Sequence, residues 1–214
     1  MEKAKNESKL RDFWEEEYKN EMTPFDAEEP DSWVIELEKQ DKIRTPVLDS
    51  GCGPGRAALY LSTLGYDVVG MDISNHAIER AKRKGARKNC NVQFLQADMC
   101  TLTGYDDQFE TVIDIGCLHS LFEEKLRLAY TTTLHRICRK GATVYVRAFS
   151  SENAKSFFHD TDHLIPALNE EQIRSAFPSD QWHINDLAHR EIDLLADGKE
   201  IHKTFCWFAE IERK

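Results

Sequence analysis

Short apolar runs separated by amphipathic stretches of helix length constrain this chain more than any other feature. The runs are Pro46–Ser50, Tyr66–Ile73, Val92–Ala97, Thr111–Ile115 and Ala142–Ala148. Helical periodicity falls between them, near 56–64, 75–88 and 123–138. Strands alternating with helices in this way build βαβ units, whose parallel sheet is covered on both faces. Such a sheet takes its ligands beyond the carboxyl ends of the strands, near the point where strand order reverses. The pattern predicts an α/β, doubly wound, mostly parallel sheet and says where a site belongs.

The two ends of the chain depart from that rhythm. Leu10, Phe13, Trp14, Glu17 and Tyr18 recur at helical spacing within residues 1–20, and Thr23-Pro24-Phe25-Asp26 breaks that helix. A second helical stretch, Pro30–Lys39, carries Trp33, Val34 and Leu37 on one side. Residues 1–40 therefore read as a helical cap on a domain spanning 41–214. Near the other end, Asn169 and Gln172 have capping-box spacing and predict a helix over 169–177. Two β-like runs, 182–192 and 202–212, flank Asp197-Gly198, a hairpin signal. A hairpin is antiparallel, so the sheet should be mixed at that edge.

Composition removes several function classes. With 28 Lys+Arg against 38 Asp+Glu, the net charge of −10 argues against binding nucleic acid by phosphate neutralisation. No apolar run approaches the ~20 residues of a membrane span, and the polar start MEKAKNESKL has no secretory pattern. The six cysteines form no C-x-x-C pair and read as reduced thiols of a cytoplasmic protein. No feature specifies an oligomeric state.

The strongest local signal is Val47-Leu48-Asp49-Ser50-Gly51-Cys52-Gly53-Pro54-Gly55. An apolar strand runs into an acid and then glycines at alternate positions, a turn that lets a ligand approach the backbone closely. The dinucleotide fingerprint is G-x-G-x-x-G; here the spacing is G-x-G-x-G, with Arg56 in place of the third dinucleotide glycine. Asp49 would repel a pyrophosphate but suits a ligand with a positive amino group and a sulfonium. Asp72, about 20 residues further on at the next strand end, is placed to accept both ribose hydroxyl protons. Asp98 follows the third strand and can accept from an adenine amino group, with Ile73 and Met99 on either side of the ring.

These motifs resemble the class I S-adenosylmethionine-dependent methyltransferases. D-S-G-C-G-P-G, G-M-D-I-S, Q-A-D-M, F-E-T-V-I-D-I-G and R-K-G-A-T-V-Y-V follow one another in that family's order over about 46–148. The resemblance implies a Rossmann-like, seven-stranded sheet with an antiparallel C-terminal hairpin strand, and S-adenosylmethionine as methyl donor. It places Asp49, Gly51, Cys52, Gly53 and Gly55 at the methionine end, Asp72 at the ribose and Asp98 at the adenine. A narrower resemblance, to the thiopurine, thiol, halide and quinol methyltransferases, rests on Phe13-Trp14-Glu15, Thr23-Pro24-Phe25-Asp26 and Cys117-Leu118-His119-Ser120-Leu121. Members often show W-D-x-x-Y, T-P-W-D and F-H-x-F there; this chain has Phe25 for Trp, and Leu118 and Leu121 for aromatics. It implies that Phe25 and Phe149 line an acceptor pocket; the Phe13/Trp14/Tyr18 face, with Trp14 at the methyl donor, can close over the ligands or belong to a helix docked permanently on the sheet.

Methyl transfer needs an acceptor aligned within about 3–3.5 Å of the methyl group. His119, just past the fourth strand, has two open roles: a base for a phenol or thiol proton, or a contact that orients the acceptor. Asp114 can touch the methyl donor, support His119 or simply be buried. Arg147 can read an anionic acceptor. His159-Asp160-Thr161-Asp162-His163 has metal-binding residue types, yet neighbours in an extended chain point opposite ways, so no metal is expected. The chain lacks the N-P-P-[YF] of nucleic-acid amino methylation and the Pro-Cys of cytosine methylation, which favours a small-molecule acceptor: a phenol, quinol or thiol. The alternatives are a nicotinamide-dependent oxidoreductase and a nucleoside-binding module without catalysis.

Overall fold

The computed structural model describes residues 2–19, 26, 28–152, 167–196 and 200–214. Its seven strands lie in the order β3-β2-β1-β4-β5-β7-β6. The chain divides into two compact units, residues 1–99 and 100–214.

In the first unit the glycine-turn run becomes β1 (Val47–Ser50), with all four residues buried, as a strand covered on both faces requires. It pairs in parallel with β2 (Val68–Asp72), and β2 pairs in parallel with β3 (Gln93–Gln96). The crossovers are α3 (Arg56–Thr63) and α4 (Asn75–Lys88). Ser74 caps α4 by accepting from the Ala77 N–H, and Asn89 ends it in the left-handed conformation. Phe94 of β3 fills the space behind the turn. A Cβ at Gly70 or Gly55 would stand 2.7–2.9 Å from its ring, so both glycines are needed for strand and helix to close on it.

Two helices precede β1: α1 (Glu2–Lys19) and α2 (Ser32–Lys39), the latter capped by Asp31, which accepts from the Trp33 N–H at 3.0 Å. Helix α1 is anchored on α4. The Glu15 carboxylate accepts from Ser74 Oγ, the Asn75 N–H and the His76 N–H at 2.9–3.1 Å, and lies 2.6 Å from His76 Nδ1. Arg80 donates to the Tyr18 carbonyl at 2.6 Å and to Asp26 at 2.9 Å, and Lys84 also donates to Asp26.

The second unit holds β4 (Phe109–Ile115), α5 (Glu124–Ile137), β5 (Cys138–Phe149), α6 (Glu170–Ala176), β6 (Trp182–Ala196) and β7 (Glu200–Arg213). Strands β4 and β5 are parallel, while β7 is antiparallel to both β5 and β6. The mixed edge agrees with the hairpin expectation; the Asp197-Gly198 turn itself lies outside the described residues. Asn169 and Gln172 form the predicted capping box. Two strands start earlier than their apolar runs. Phe109 pairs with Cys138 ahead of a register shift, and the strand runs through exposed Arg139 and Lys140 before pairing resumes at Thr143. The hairpin is also longer than expected. Its pairing with β5 stops at Phe149↔Cys206, whereas β6 and β7 continue to Ala196↔Glu200. Among the described residues, no helix is long and apolar enough to cross a membrane.

Candidate active site

In the first unit the turn after β1 is built on left-handed glycines, with φ of 66° at Gly51, 51° at Gly53 and 84° at Gly55. Their reasons differ. A Cβ at Gly53 would lie 2.8 Å from the Tyr18 hydroxyl, so Tyr18 closes one side of the turn. At Gly55 the Cβ would meet Phe94 and Ala81. Gly55, expected at the methionine end, thus turns its bare face to the protein interior and serves as the left-handed N-cap of α3. The thiol of Cys52 lies 3.2 Å from where a Gly70 Cβ would be, so the side chain packs inside the turn. Asp49 is buried, and its Oδ2 accepts from the Ala58 N–H at 3.0 Å, tying β1 to the first turn of α3.

Asp72 joins the turn to α4. Its Oδ2 accepts from the Gly53 N–H and its Oδ1 from the Ser74 N–H, both at 2.8 Å. Burial pushes its carboxyl up to about 6, against the opposing pull of those N–H groups. Each oxygen takes one N–H, which leaves acceptor capacity on both. Ile73 and Asp98 are half-buried and Met99 is buried at the end of this unit. Trp14 stacks on Tyr18 with centroids 5.8 Å apart, and Phe13 meets Trp14 edge-on at 5.2 Å. Tyr18 is buried, and its hydroxyl pKa is raised by burial and by the Asp72 charge. A sulfonium nucleoside needs a carboxylate for its diol, a close backbone approach and a cover against water. Asp72, the Gly51–Gly53 turn and the Trp14–Tyr18 pair supply these, so the residues fit S-adenosylmethionine.

In the second unit the loop after β4 is organised by Asp114. Its oxygens accept from the Cys117 N–H at 2.7 Å, the Leu118 N–H at 3.1 and 3.3 Å, and the Tyr130 hydroxyl at 2.8 Å. It is fully buried, and burial pushes it up to about 7 despite these bonds. Of the roles open to Asp114, these bonds favour the buried, structural one: it ties its own loop to α5. The loop folds into a short 3-10 turn, Leu118–Ser120. His119 on it is buried beside Phe149, ring centroids 4.9 Å apart, and its Nδ1 accepts from the Phe149 N–H at 3.3 Å. Burial and the Arg147 charge push the imidazole down to about 3, which does not favour a base.

Phe25 and the 159–163 cluster, with Phe157 and Phe158, lie outside the described residues. Among the described residues no group of His, Cys, Asp or Glu forms a metal-binding cluster. Sequence reasoning missed the part played by Tyr18 over Gly53 and by Glu15 at α4. The Trp14-Glu15-x-x-Tyr18 spacing was the available signal for both. Nothing local marked Phe94 or Tyr130, whose partners lie on other elements.

Residues 47–141 match a family characterised as a methyltransferase domain. An uncharacterized methyltransferase of Schizosaccharomyces pombe is 42% identical over 123 residues, 58% of this chain and 84% of that protein. The 2-heptyl-1-hydroxyquinolin-4(1H)-one methyltransferase of Mycobacteroides abscessus is 32% identical over 197 residues, 88% of this chain and 84% of its own length. Among solved structures, one concerned with the conversion of a disulfide bond into a thioacetal group during echinomycin biosynthesis superposes with a TM-score of 0.83. It has 29% identity and covers 96% of this chain and 92% of that chain.

Proposed function

The chain belongs to the class I S-adenosylmethionine-dependent methyltransferases, and we propose that it methylates an acidic heteroatom of a small aromatic acceptor, oxygen on an N-hydroxy heterocycle first. One observation carries the choice: the likeness to the hydroxyquinolinone methyltransferase runs through 88% of this chain, beyond the nucleoside-binding core. Family membership displaces both the nicotinamide oxidoreductase and the non-catalytic binding module. A small-molecule acceptor also accords with the net charge of −10, which argues against a nucleic-acid partner, and the cysteine usage supports a cytoplasmic enzyme.

S-adenosylmethionine, when bound, supplies a methyl group already activated on a sulfonium. The chain's own residues then bind and orient. Asp72 accepts from the ribose hydroxyls and Asp98 from the adenine amino group, with Ile73 and Met99 against the ring. Asp49, Gly51 and Gly53 surround the methionine end, where the Asp49 charge favours a cation. Trp14 and Tyr18, in the 1–40 cap, exclude water from the sulfonium. Residues of the second unit, His119 and Phe149, hold the acceptor. Alignment is the main task of such a site.

A sulfur acceptor is the second reading, favoured by the likeness to the protein of the thioacetal conversion. An acceptor panel with methyl-labelled S-adenosylmethionine tests both. N-hydroxyquinolones, quinols, thiols and aliphatic amines would be compared by label transfer. Turnover of N-hydroxyquinolones above the rest is expected; transfer to amines alone would overturn the reading.

A further inference from the structure

The loop after β4 fixes more about the acceptor than its size. We propose that His119 acts on the acceptor as a neutral hydrogen-bond donor through Nε2–H, and that the acceptor arrives already ionised, as an N-hydroxy heteroarene, an acidic phenol or an aromatic thiol. This rests on the small-acceptor reading and adds the proton state in which that acceptor is used.

The geometry begins with a group that can only donate. The Phe149 N–H lies 3.3 Å from His119 Nδ1, so Nδ1 accepts. A neutral imidazole carries one N–H, which must then be on Nε2. The ring cannot easily turn to exchange its nitrogens. It is buried against the Phe149 ring on one side. On the other, a Cβ at Gly116 would come within 3.2 Å of Cε1 and 3.7 Å of Nε2. Gly116 has φ of 106°, so a bare backbone at that point lets the imidazole edge settle against it.

The surroundings do not favour a second proton. Arg147 stands two residues before Phe149 on β5, hence on the same face of the strand. It pairs across β7 with Phe208, whose ring lies 5.3 Å from the Arg190 guanidinium. Glu210 and Glu212 are the carboxylates on that face of β7; Glu212 accepts from Asn185 Nδ2 at 3.5 Å, and neither Glu210 nor Arg147 lacks a partner. Asp114, at the end of β4, is occupied by the loop and by Tyr130. From α5, Arg127 donates to the Leu121 and Phe122 carbonyls at 2.7 and 3.1 Å. The low imidazole pKa, about 3, agrees with this setting.

A base needs a free lone pair facing the acceptor. Here one ring nitrogen meets a main-chain N–H and the other already carries its proton. The acceptor must therefore bring its own negative charge. Its anionic oxygen or sulfur forms the new bond to the methyl carbon. The carbon–sulfur bond of the sulfonium breaks, both electrons going to sulfur. The two charges cancel and no proton moves. Nε2–H contributes by holding the acceptor oxygen in line.

Long-range proton–nitrogen NMR of the histidine-labelled full chain reads the ring directly. His119 should appear as the Nε2–H tautomer, unchanged between about pH 5 and 8. An Nδ1–H tautomer, or a titration within that range, would overturn the proposal. The second arm measures kcat/KM against pH for N-hydroxyquinolones and phenols of graded acidity. The ionisation limiting the rate should move with each acceptor's own pKa. Phenols titrating near ~10 should be at least about 100-fold slower at neutral pH. His119→Gln, which keeps an N–H, should stay within roughly tenfold of the parent kcat, while His119→Phe should fall by about 100-fold or more. A limb that ignores the acceptor, with Gln as inactive as Phe, would show a base. No turnover of any panel member would sink the small-acceptor reading itself; the NMR result would still decide the tautomer.

Discussion

Asp72 and Asp114 look alike in the sequence and do different work. Each closes an apolar strand, each is buried, and burial raises both carboxyls, to about 6 and about 7. The difference lies in who donates to them. Asp72 takes one N–H on each oxygen, from two separate segments, Gly53 and Ser74. Asp114 takes two N–H groups from the loop that follows it and a hydroxyl from α5. A carboxylate surrounded by its own loop builds that loop. One that links two segments while keeping lone pairs is available to a ligand.

The largest effect should come from Asp72→Asn. Two charge-assisted hydrogen bonds to a diol are worth about 1.5–3 kcal/mol each, so affinity for S-adenosylhomocysteine should fall by at least ~100-fold by calorimetry, with the fold retained. A loss under threefold would remove Asp72 from the ribose site. Asp114→Ala should show the reverse. It leaves three buried hydrogen-bond donors unmatched and should cost ~3 kcal/mol or more in urea unfolding, with nucleoside affinity unchanged in the folded fraction. Titration sharpens the contrast. A carboxyl raised above its ordinary 3.8 in the fold lowers stability as pH climbs. The penalty is absent below that value and complete above about 7 for Asp114. Asp114→Asn has no such penalty and should gain on the parent as pH rises through that window.

What could be read from the chain follows from where each signal resides. The alternation of strands and helices and the glycine turn were legible because their causes are local: apolar runs, alternate glycines, an acid at a fixed offset. The strand ends were less so, since β5 starts at Cys138, paired with Phe109, and runs through exposed Arg139 and Lys140 that hydropathy does not register as strand. The packing reason for Gly55 was not legible, because the Phe94 ring it makes room for lies on another strand. His119 was found as a residue, but its tautomer depends on an N–H thirty residues away. Asp114 and Asp72 could not be separated until their hydrogen-bond partners were known.

Gly53 lets the turn itself be probed with a smaller change. Alanine there must adopt a φ of 51° and place its Cβ 2.8 Å from the Tyr18 hydroxyl. The left-handed backbone alone costs roughly 1–2 kcal/mol, so Gly53→Ala should destabilise by ~2 kcal/mol in total and weaken nucleoside binding. Removing the hydroxyl with Tyr18→Phe should recover the contact part and leave the backbone part. A double-mutant cycle in urea measures that coupling. Strict additivity would mean that Tyr18 does not close the turn.

The smallest expected effect concerns how firmly α1 is held. Glu15 meets the first N–H groups of α4, where a negative charge is favoured by the helix dipole and by unmatched main-chain donors. Burial alone would raise its carboxyl, but the bonds from the His76 ring, the His76 and Asn75 N–H groups and Ser74 outweigh it and hold it at about 2. A carboxyl lowered by folding stabilises above its ordinary 4.5, and that contribution is lost as pH falls toward about 2. The full span would be worth roughly 3 kcal/mol, but with a quarter of the Glu15 side chain exposed, screening reduces it to ~1 kcal/mol. Glu15→Gln should therefore speed amide exchange along α1 several-fold at neutral pH, and the gap from the parent should close as the buffer is acidified below about pH 4. If exchange in α1 is already fast in the parent and Glu15→Gln does not alter it, the helix is a lid that opens freely.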